Sequence, residues 1–223
     1  MIRTILRFVF LPLALCASVE GRGAQGIQVI EYYGDSTIWG YQSQTGERVA
    51  KPAPAVFAES LPNPARFEVR NEGVNGSTAC ALLNGTDGRH VPWPEQMAKS
   101  NTRYVFVNFA INDQWKHDVA TYTGCLRSLA RVAQAHGKQM IFETPNPTRD
   151  SGPDSLDVYV NAMRRVAVEE RVTLIDQYRY LTDRLDGQSP ATLCPDGLHP
   201  SDEGYVLKGR YAAKMFAKYF LER

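Results

Sequence analysis

Five positions in this chain carry groups that together could open an ester. Ser36 follows Gly34 and Asp35 in "YYGDSTIWG", and Asp196 and His199 stand three apart in "CPDGLHPSDEGY". A serine hydroxyl becomes a useful nucleophile when a neutral imidazole within hydrogen-bond reach takes its proton, and a carboxylate must hold that imidazole in the right tautomer. One short turn bearing Pro and Gly can present both Asp196 and His199. The tetrahedral intermediate also needs donors aimed at its oxyanion. The N–H of Ser36, the N–H of Gly76 in "NEGVNGST" and the side-chain amide of Asn112 in "AIND" would supply three, from three separate stretches. Taken singly, each residue has a plainer role. Ser36 after Gly-Asp reads as a helix or turn cap, His199 before Pro as a surface loop residue, and Asn112 with Asp113 as caps of the next helix.

The elements around these residues determine whether they can meet. Five apolar runs of strand length stand out: 27–33, 66–71, 103–111, 138–144 and 172–178. They are rich in Val, Ile, Phe and Tyr, and several are nearly continuous, as strands covered on both faces should be. Segments 119–137, 155–170 and 201–223 have helical period. Gly137 stands where a C-terminal cap belongs, and Ser201 reads as an N-cap with Asp202 and Glu203 in the first turn, where the helix dipole favours them. Strand and helix in alternation predict an α/β chain with a parallel sheet and helices on both faces. In such sheets ligands bind at the carboxyl ends of the strands. That rule gathers the stretches around Ser36, Gly76, Asn112 and His199 onto one edge.

With the residues so placed, the chain resembles the SGNH hydrolases, also called GDSL esterases and lipases. "GDS" with Ser36 is similar to the nucleophile block, "GVNGST" with Gly76 to the glycine block, "AIND" with Asn112 to the G-x-N-D block, and "DGLH" with Asp196 and His199 to the D-x-x-H block. The blocks occur in the family's order across essentially the whole mature chain. The resemblance implies a flavodoxin-like three-layer fold with a five-stranded parallel sheet, metal-free and cofactor-free hydrolysis of acyl esters, and the roles set out above. One departure stands out: Ala110 occupies the place of the third block's glycine. Gly tolerates positive φ, whereas Ala dislikes it, so either the backbone there is ordinary or the loop sits differently. No G-x-S-x-G elbow occurs, so the α/β-hydrolase architecture lacks its anchor.

Composition narrows the partner. At 223 residues with a net charge of +1, 43% hydrophobic and 22% charged, the chain has room for a core and lacks the bias of a nucleic-acid binder or a disordered tail. A small-molecule or carbohydrate ester fits better than a polyanion. Arg3 and Arg7 precede twelve uncharged, mostly apolar residues and then "EGRGAQG", the pattern of a secretory signal and linker over 1–25 ahead of one domain over 26–223. Twelve apolar residues are too few to span a bilayer, which takes about 20. Export to the periplasm or beyond follows, without stable membrane insertion; lipid attachment at Cys16 is the alternative. "GRGAQG" has the spacing of a dinucleotide fingerprint, but a strand follows it where a helix should. Export also tilts the expectation toward short acyl groups, such as acetyl esters on carbohydrate. An acyltransferase, thioesterase or lysophospholipase would use the same triad, and a silent relative would bind a glycan or cell-wall polymer.

Removing the signal leaves Cys80, Cys125 and Cys194, enough for one disulfide and one thiol, with Cys80 and Cys125 the preferred pair. Cys194 near His199 is a lesser candidate nucleophile. His90, His117 and His136 show no ligand spacing and read as structural or solvated, so no metal is expected. Trp39 and Trp115, each three residues beyond a proposed site residue, could line a pocket or pack the core. Asn75 and Asn84 head formal glycosylation sequences, and a glycan on Asn75 would crowd Gly76.

Overall fold

The structure, a computed structural model, describes residues 26–149 and 155–222. The signal, linker and Cys16 expectations fall on 1–25, outside the described residues. The first half runs β1 (Gln28–Gly34), α1 (Ser36–Trp39), α2 (Ala53–Ser60), β2 (Phe67–Gly73), α3 (Ala79–Asn84), α4 (Trp93–Lys99) and β3 (Tyr104–Asn108). The second half runs α5 (Asp113–Lys116), α6 (Val119–Ala135), β4 (Gln139–Glu143), α7 (Leu156–Glu169), β5 (Thr173–Ile175), α8 (Gln177–Leu185) and α9 (Asp202–Phe216), with a π-helical turn at Ala217–Leu221. The strands form one all-parallel sheet in the order β2-β1-β3-β4-β5. This is the strand order of the flavodoxin-like fold that the family resemblance implies.

The continuous apolar runs arise because the sheet is buried on both sides. Alternate residues leave each strand in opposite directions. Ile30, Tyr32, Phe106 and Ile141 meet Phe57 of α2 and Phe216 of α9 on one face, while Tyr33, Val105, Val107, Met140 and Phe142 meet Trp93, Leu126, Leu129 and Met163 on the other. Each such side chain contributes about 1.5–3 kcal/mol through burial. The helix ends follow local chemistry. Gly137 and Lys138 close α6 by donating to Gln134 O and Ala133 O, a Schellman arrangement, and Ser201 Oγ accepts from Gly204 N at 3.2 Å to open α9.

Three boundaries differ from the sequence reading by three residues or more. The third run extends to 111, but the strand ends at Asn108, and Phe109, Ala110 and Ile111 form a buried turn whose apolar side chains join the core. The fifth run extends to 178, but the strand ends at Ile175 because the Asp176 side chain accepts from Arg179 N and starts α8. The last helix gives way to the π turn at Ala217. The short helices α2 and α4 begin at prolines and have too few turns to show a period.

Cys80 of α3 and Cys125 of α6 are joined, 45 residues apart, which staples the glycine-loop side of the sheet to its longest helix. By loop entropy a link of that span is worth about 4 kcal/mol. Replacing both with Ala is expected to lower unfolding stability by about 2–4 kcal/mol, read from denaturant midpoints with and without reductant.

Candidate active site

Ser36, Gly76 and Asn112 follow β1, β2 and β3, which are adjacent in the sheet, so one edge carries all three. The chain turns from β1 into α1 within one residue. Asp35 caps α1: its Oδ1 accepts Thr37 N and Thr37 Oγ1, both at 2.8 Å. The cap is therefore Asp35 and not Ser36, which leaves the Ser36 hydroxyl free for another partner. That partner is His199, whose Nε2 lies 3.0 Å from Ser36 Oγ. The backbone of α1 rests on the end of β2, where a side chain on Gly73 would run into the main chain of Trp39.

The His199 loop is held by its own aspartate. Asp196 Oδ1 accepts Leu198 N at 2.9 Å and His199 N at 2.7 Å, and Oδ2 lies 2.7 Å from His199 Nδ1. Burial pushes the Asp196 carboxyl up, but the hydrogen bonds from the His199 ring and the two N–H groups outweigh it and hold the group below the usual carboxylate range. A carboxylate fixed on Nδ1 places the ring proton there and leaves Nε2 as the acceptor toward Ser36.

The glycine loop is exposed at Gly76, whose φ of +73° suits glycine. Lys116 Nζ ties the loop down by donating to Gly76 O at 2.7 Å. Asn112 does not cap α5; its amide donates to Ser77 O at 3.0 Å, which fixes it beside the glycine loop with a second N–H left over. Asp113 does not cap its own helix either. Its Oδ1 accepts Ala79 N at 3.0 Å and so caps α3 from across the loop. Burial pushes its carboxyl up to about 7, against the pull of the Ala79 hydrogen bond and with added push from Asp35.

Ala110 settles the departure noted in the sequence in an unexpected way. It takes φ +142°, in the region that favours glycine, while fully buried. A non-glycine residue held there carries strain of about 1–3 kcal/mol. Ala110→Gly removes that strain and loses one methyl, worth about 0.8 kcal/mol. It is expected to hold or raise the melting temperature, whereas Ala110→Val, branched at Cβ, should lower it sharply in the same thermal scan.

Other candidates separate cleanly. Cys194 is fully buried, and burial pushes its thiol up to about 12 despite the nearby Lys208 charge, so it is not a thiolate nucleophile at neutral pH. Neither Trp39 nor Trp115 belongs to the core: Trp115 is 54% exposed, and half-buried Trp39 lies under the Arg48 guanidinium at 5.7 Å. Tyr41, not singled out in the sequence, sets its ring 4.5 Å from that of His199. His117 meets Thr78 Oγ1 at 3.3 Å.

His90 has a carboxylate partner that the spacing argument overlooked. "DGRH" at 87–90 repeats the pattern of "DGLH" at 196–199, and Asp87 binds Arg89 N, His90 N and His90 Nδ1 just as Asp196 binds its own loop. The repeat was visible in the sequence. Its surroundings were not: His90 Nε2 faces Glu72 at 3.5 Å, so this second pair is a structural ion cluster. Among the described residues no group of three or more His, Cys, Asp or Glu could hold a metal ion, and no helix is long and apolar enough to cross a membrane.

Comparison with known proteins bears on the family and the fold. An acetylxylan esterase of Geobacillus stearothermophilus is 25% identical over 159 residues, 65% of this chain and 69% of that protein. Among solved structures, a carbohydrate acetylesterase family member from Sinorhizobium meliloti superposes with a TM-score of 0.67 at 17% identity, covering 86% of this chain and 98% of the other. An acetylxylan esterase structure from Geobacillus stearothermophilus gives 0.66 at 22% identity, covering 87% and 94%. At such identities the superpositions speak for the fold. The GDSL-like lipase/acylhydrolase family profile matches residues 32–207, from the strand before Ser36 to the helix after His199. With sheet order, block order and profile in agreement, this chain is a member of the GDSL-like lipase/acylhydrolase family.

Proposed function

We propose that the protein is an exported serine esterase that removes short acyl groups, acetyl above all, from carbohydrate. The observation that carries this reading is the continuous contact from Ser36 Oγ to His199 Nε2 at 3.0 Å and from His199 Nδ1 to Asp196 Oδ2 at 2.7 Å. Ser36 Oγ attacks the ester carbonyl while its proton passes to His199 Nε2, and Asp196 stabilises the resulting imidazolium. The N–H groups of Ser36 and Gly76, which have no acceptor among the described residues, and the spare N–H of Asn112 receive the oxyanion. As the intermediate collapses, His199 returns the proton to the leaving alcohol. Water then attacks the acyl-Ser36 ester by the same route and releases the acid. No step calls for a metal or cofactor.

The preference for carbohydrate acetyl esters draws on the acetylxylan esterase and carbohydrate acetylesterase relatives. A polar hollow of about 130 Å3 beside the His199 loop, lined by Gln42, Ser43, Pro195, Pro200 and Asp202, supports it. Amides, hydroxyls and carboxylates suit sugar hydroxyls better than an alkyl chain. A hydrolysis screen of acyl chains from two to about sixteen carbons, with acetylated xylo-oligosaccharides and Ser36→Ala alongside, tests the reading. The highest kcat/KM is expected on acetyl esters; a maximum at long chains would overturn the carbohydrate assignment.

A further inference from the structure

Lys208 lies on α9 with its side chain fully buried, an arrangement that needs a reason. Its ammonium donates to Asn146 Oδ1 at 3.0 Å and to Thr37 Oγ1 at 3.4 Å. Each acceptor leads to one half of the site. Thr37 Oγ1 donates onward to Asp35 Oδ1, the cap that sets the turn at Ser36. Asn146 Nδ2 donates at 3.0 Å to Leu198 O, the carbonyl immediately before His199. The Lys208 main chain is held as well, since Gln177 Nε2 donates to Lys208 O at 2.8 Å and also to Glu143.

We infer that Lys208 is a positioning residue, a buried cation that ties the Ser36 turn to the His199 loop and holds the nucleophile and its base in register. The inference rests on the triad reading above. Burial works against the charge and pushes the lysine pKa down, while the carboxylates of Glu143 and Asp35 push it back up. Asp35 is fully buried, and burial raises its carboxyl against the hydrogen bonds of Thr37 and the charge of Lys208. The cation and the cap therefore sustain one another. Core packing alone would be served as well by apolar side chains, because a buried charged cluster replaced as a whole by well-packed apolar residues often loses no stability. Its two arms instead end at the two loops whose relative placement decides the reaction. Misplacing reacting groups by about 1 Å can cost about 100-fold in rate.

The test compares Lys208→Met, which keeps length and removes the ammonium, with the two arms broken singly by Thr37→Val and Asn146→Ala. Steady-state rates on p-nitrophenyl acetate, labelling of Ser36 by a fluorophosphonate, and melting temperature are read together. Lys208→Met is expected to lower kcat about 100-fold with KM within about twofold, and to slow labelling in parallel while melting cooperatively. Each arm variant should lose at least about tenfold in kcat, and Thr37→Ser, which keeps the hydroxyl, should recover most of the loss of Thr37→Val. Wild-type kcat in Lys208→Met overturns the inference, as does a kcat loss shared by Thr37→Ser and Thr37→Val alike. Should Lys208→Met not fold, the arm variants decide: wild-type kcat in both overturns it, and a loss in both with KM unchanged supports it. Ser36→Ala serves as the control for the underlying reading. If it stays active, the triad reading has failed; if it is inactive while Lys208→Met is fully active, only the role of Lys208 has failed.

Discussion

Ser36→Ala is expected to lower kcat on acetyl esters by about 10⁶, with KM changed little and the fold intact. In serine triads, losing the serine or the histidine alone costs about as much as losing the whole set, because the three act as a unit. His199→Ala should therefore fall to the same floor, and the double variant no further. The residual rate belongs to the oxyanion donors and to binding, about 10³–10⁴ above the uncatalysed reaction. Ser36 caps nothing here, since Asp35 performs that task. The substitution thus removes one hydroxyl from the 3.0 Å contact with His199 and disturbs no helix end. Steady-state kinetics with thermal melts on the same preparations check this. Activity within tenfold of wild type would remove Ser36 from the reaction, and a lowered melting temperature would mean that the hydroxyl also supports the turn.

Asp196→Asn should lower kcat by about 10⁴ through the tautomer of His199. Asn Oδ1 can still accept the N–H groups of Leu198 and His199, so the loop keeps its shape. The amide then donates to Nδ1, moves the ring proton to Nε2 and points a donor at the Ser36 hydroxyl where an acceptor is needed. The same variant carries a stability signature. The Asp196 carboxyl is held below its ordinary value in the folded protein, so its stabilisation is present above the unfolded value of about 3.9 and is lost as pH falls through the folded value. Wild type and Asp196→Asn should therefore differ most in melting temperature near pH 7, and the difference should shrink as pH is lowered from about 4 through the folded value. A difference unchanged across that range would count against the charged hydrogen bonds as its source.

The family shares its order of blocks with this chain, and particular residues show how far such order reaches. Ser36 and His199 are 163 positions apart and meet at 3.0 Å because the turn after β1 and the turn that opens α9 reach the same edge of the sheet. That much is implied by strand-helix alternation, since a parallel sheet leaves few ways to connect. The Asp196–His199 pair is local and legible from its spacing alone. The residues alone left the cap of α1 open, because Asp35 and Ser36 are both good N-caps, and only the backbone turn decides which side chain reaches Thr37 N. Asp113 looked like the cap of its own helix and caps α3 instead, a choice made by the approach of two loops.

What the sequence determined by itself was therefore periodic or local: five apolar runs, helix stops such as Gly137, and the D-x-x-H turn. These depend on neighbours within a few residues, where spacing is a sufficient guide. Tertiary structure decided whatever depends on burial and on contacts between distant segments. It held Ala110, fully buried, at a φ that favours glycine, and it distinguished the DGRH pair from the DGLH pair by setting Glu72 against one and Ser36 against the other. It also placed the ammonium of Lys208 between Thr37 and Asn146, contacts spanning 171 and 62 residues. A lysine in the middle of a helix reads as solvated until packing closes over it, because charge is inexpensive in water and tolerable in a core only beside partners that the fold alone brings near.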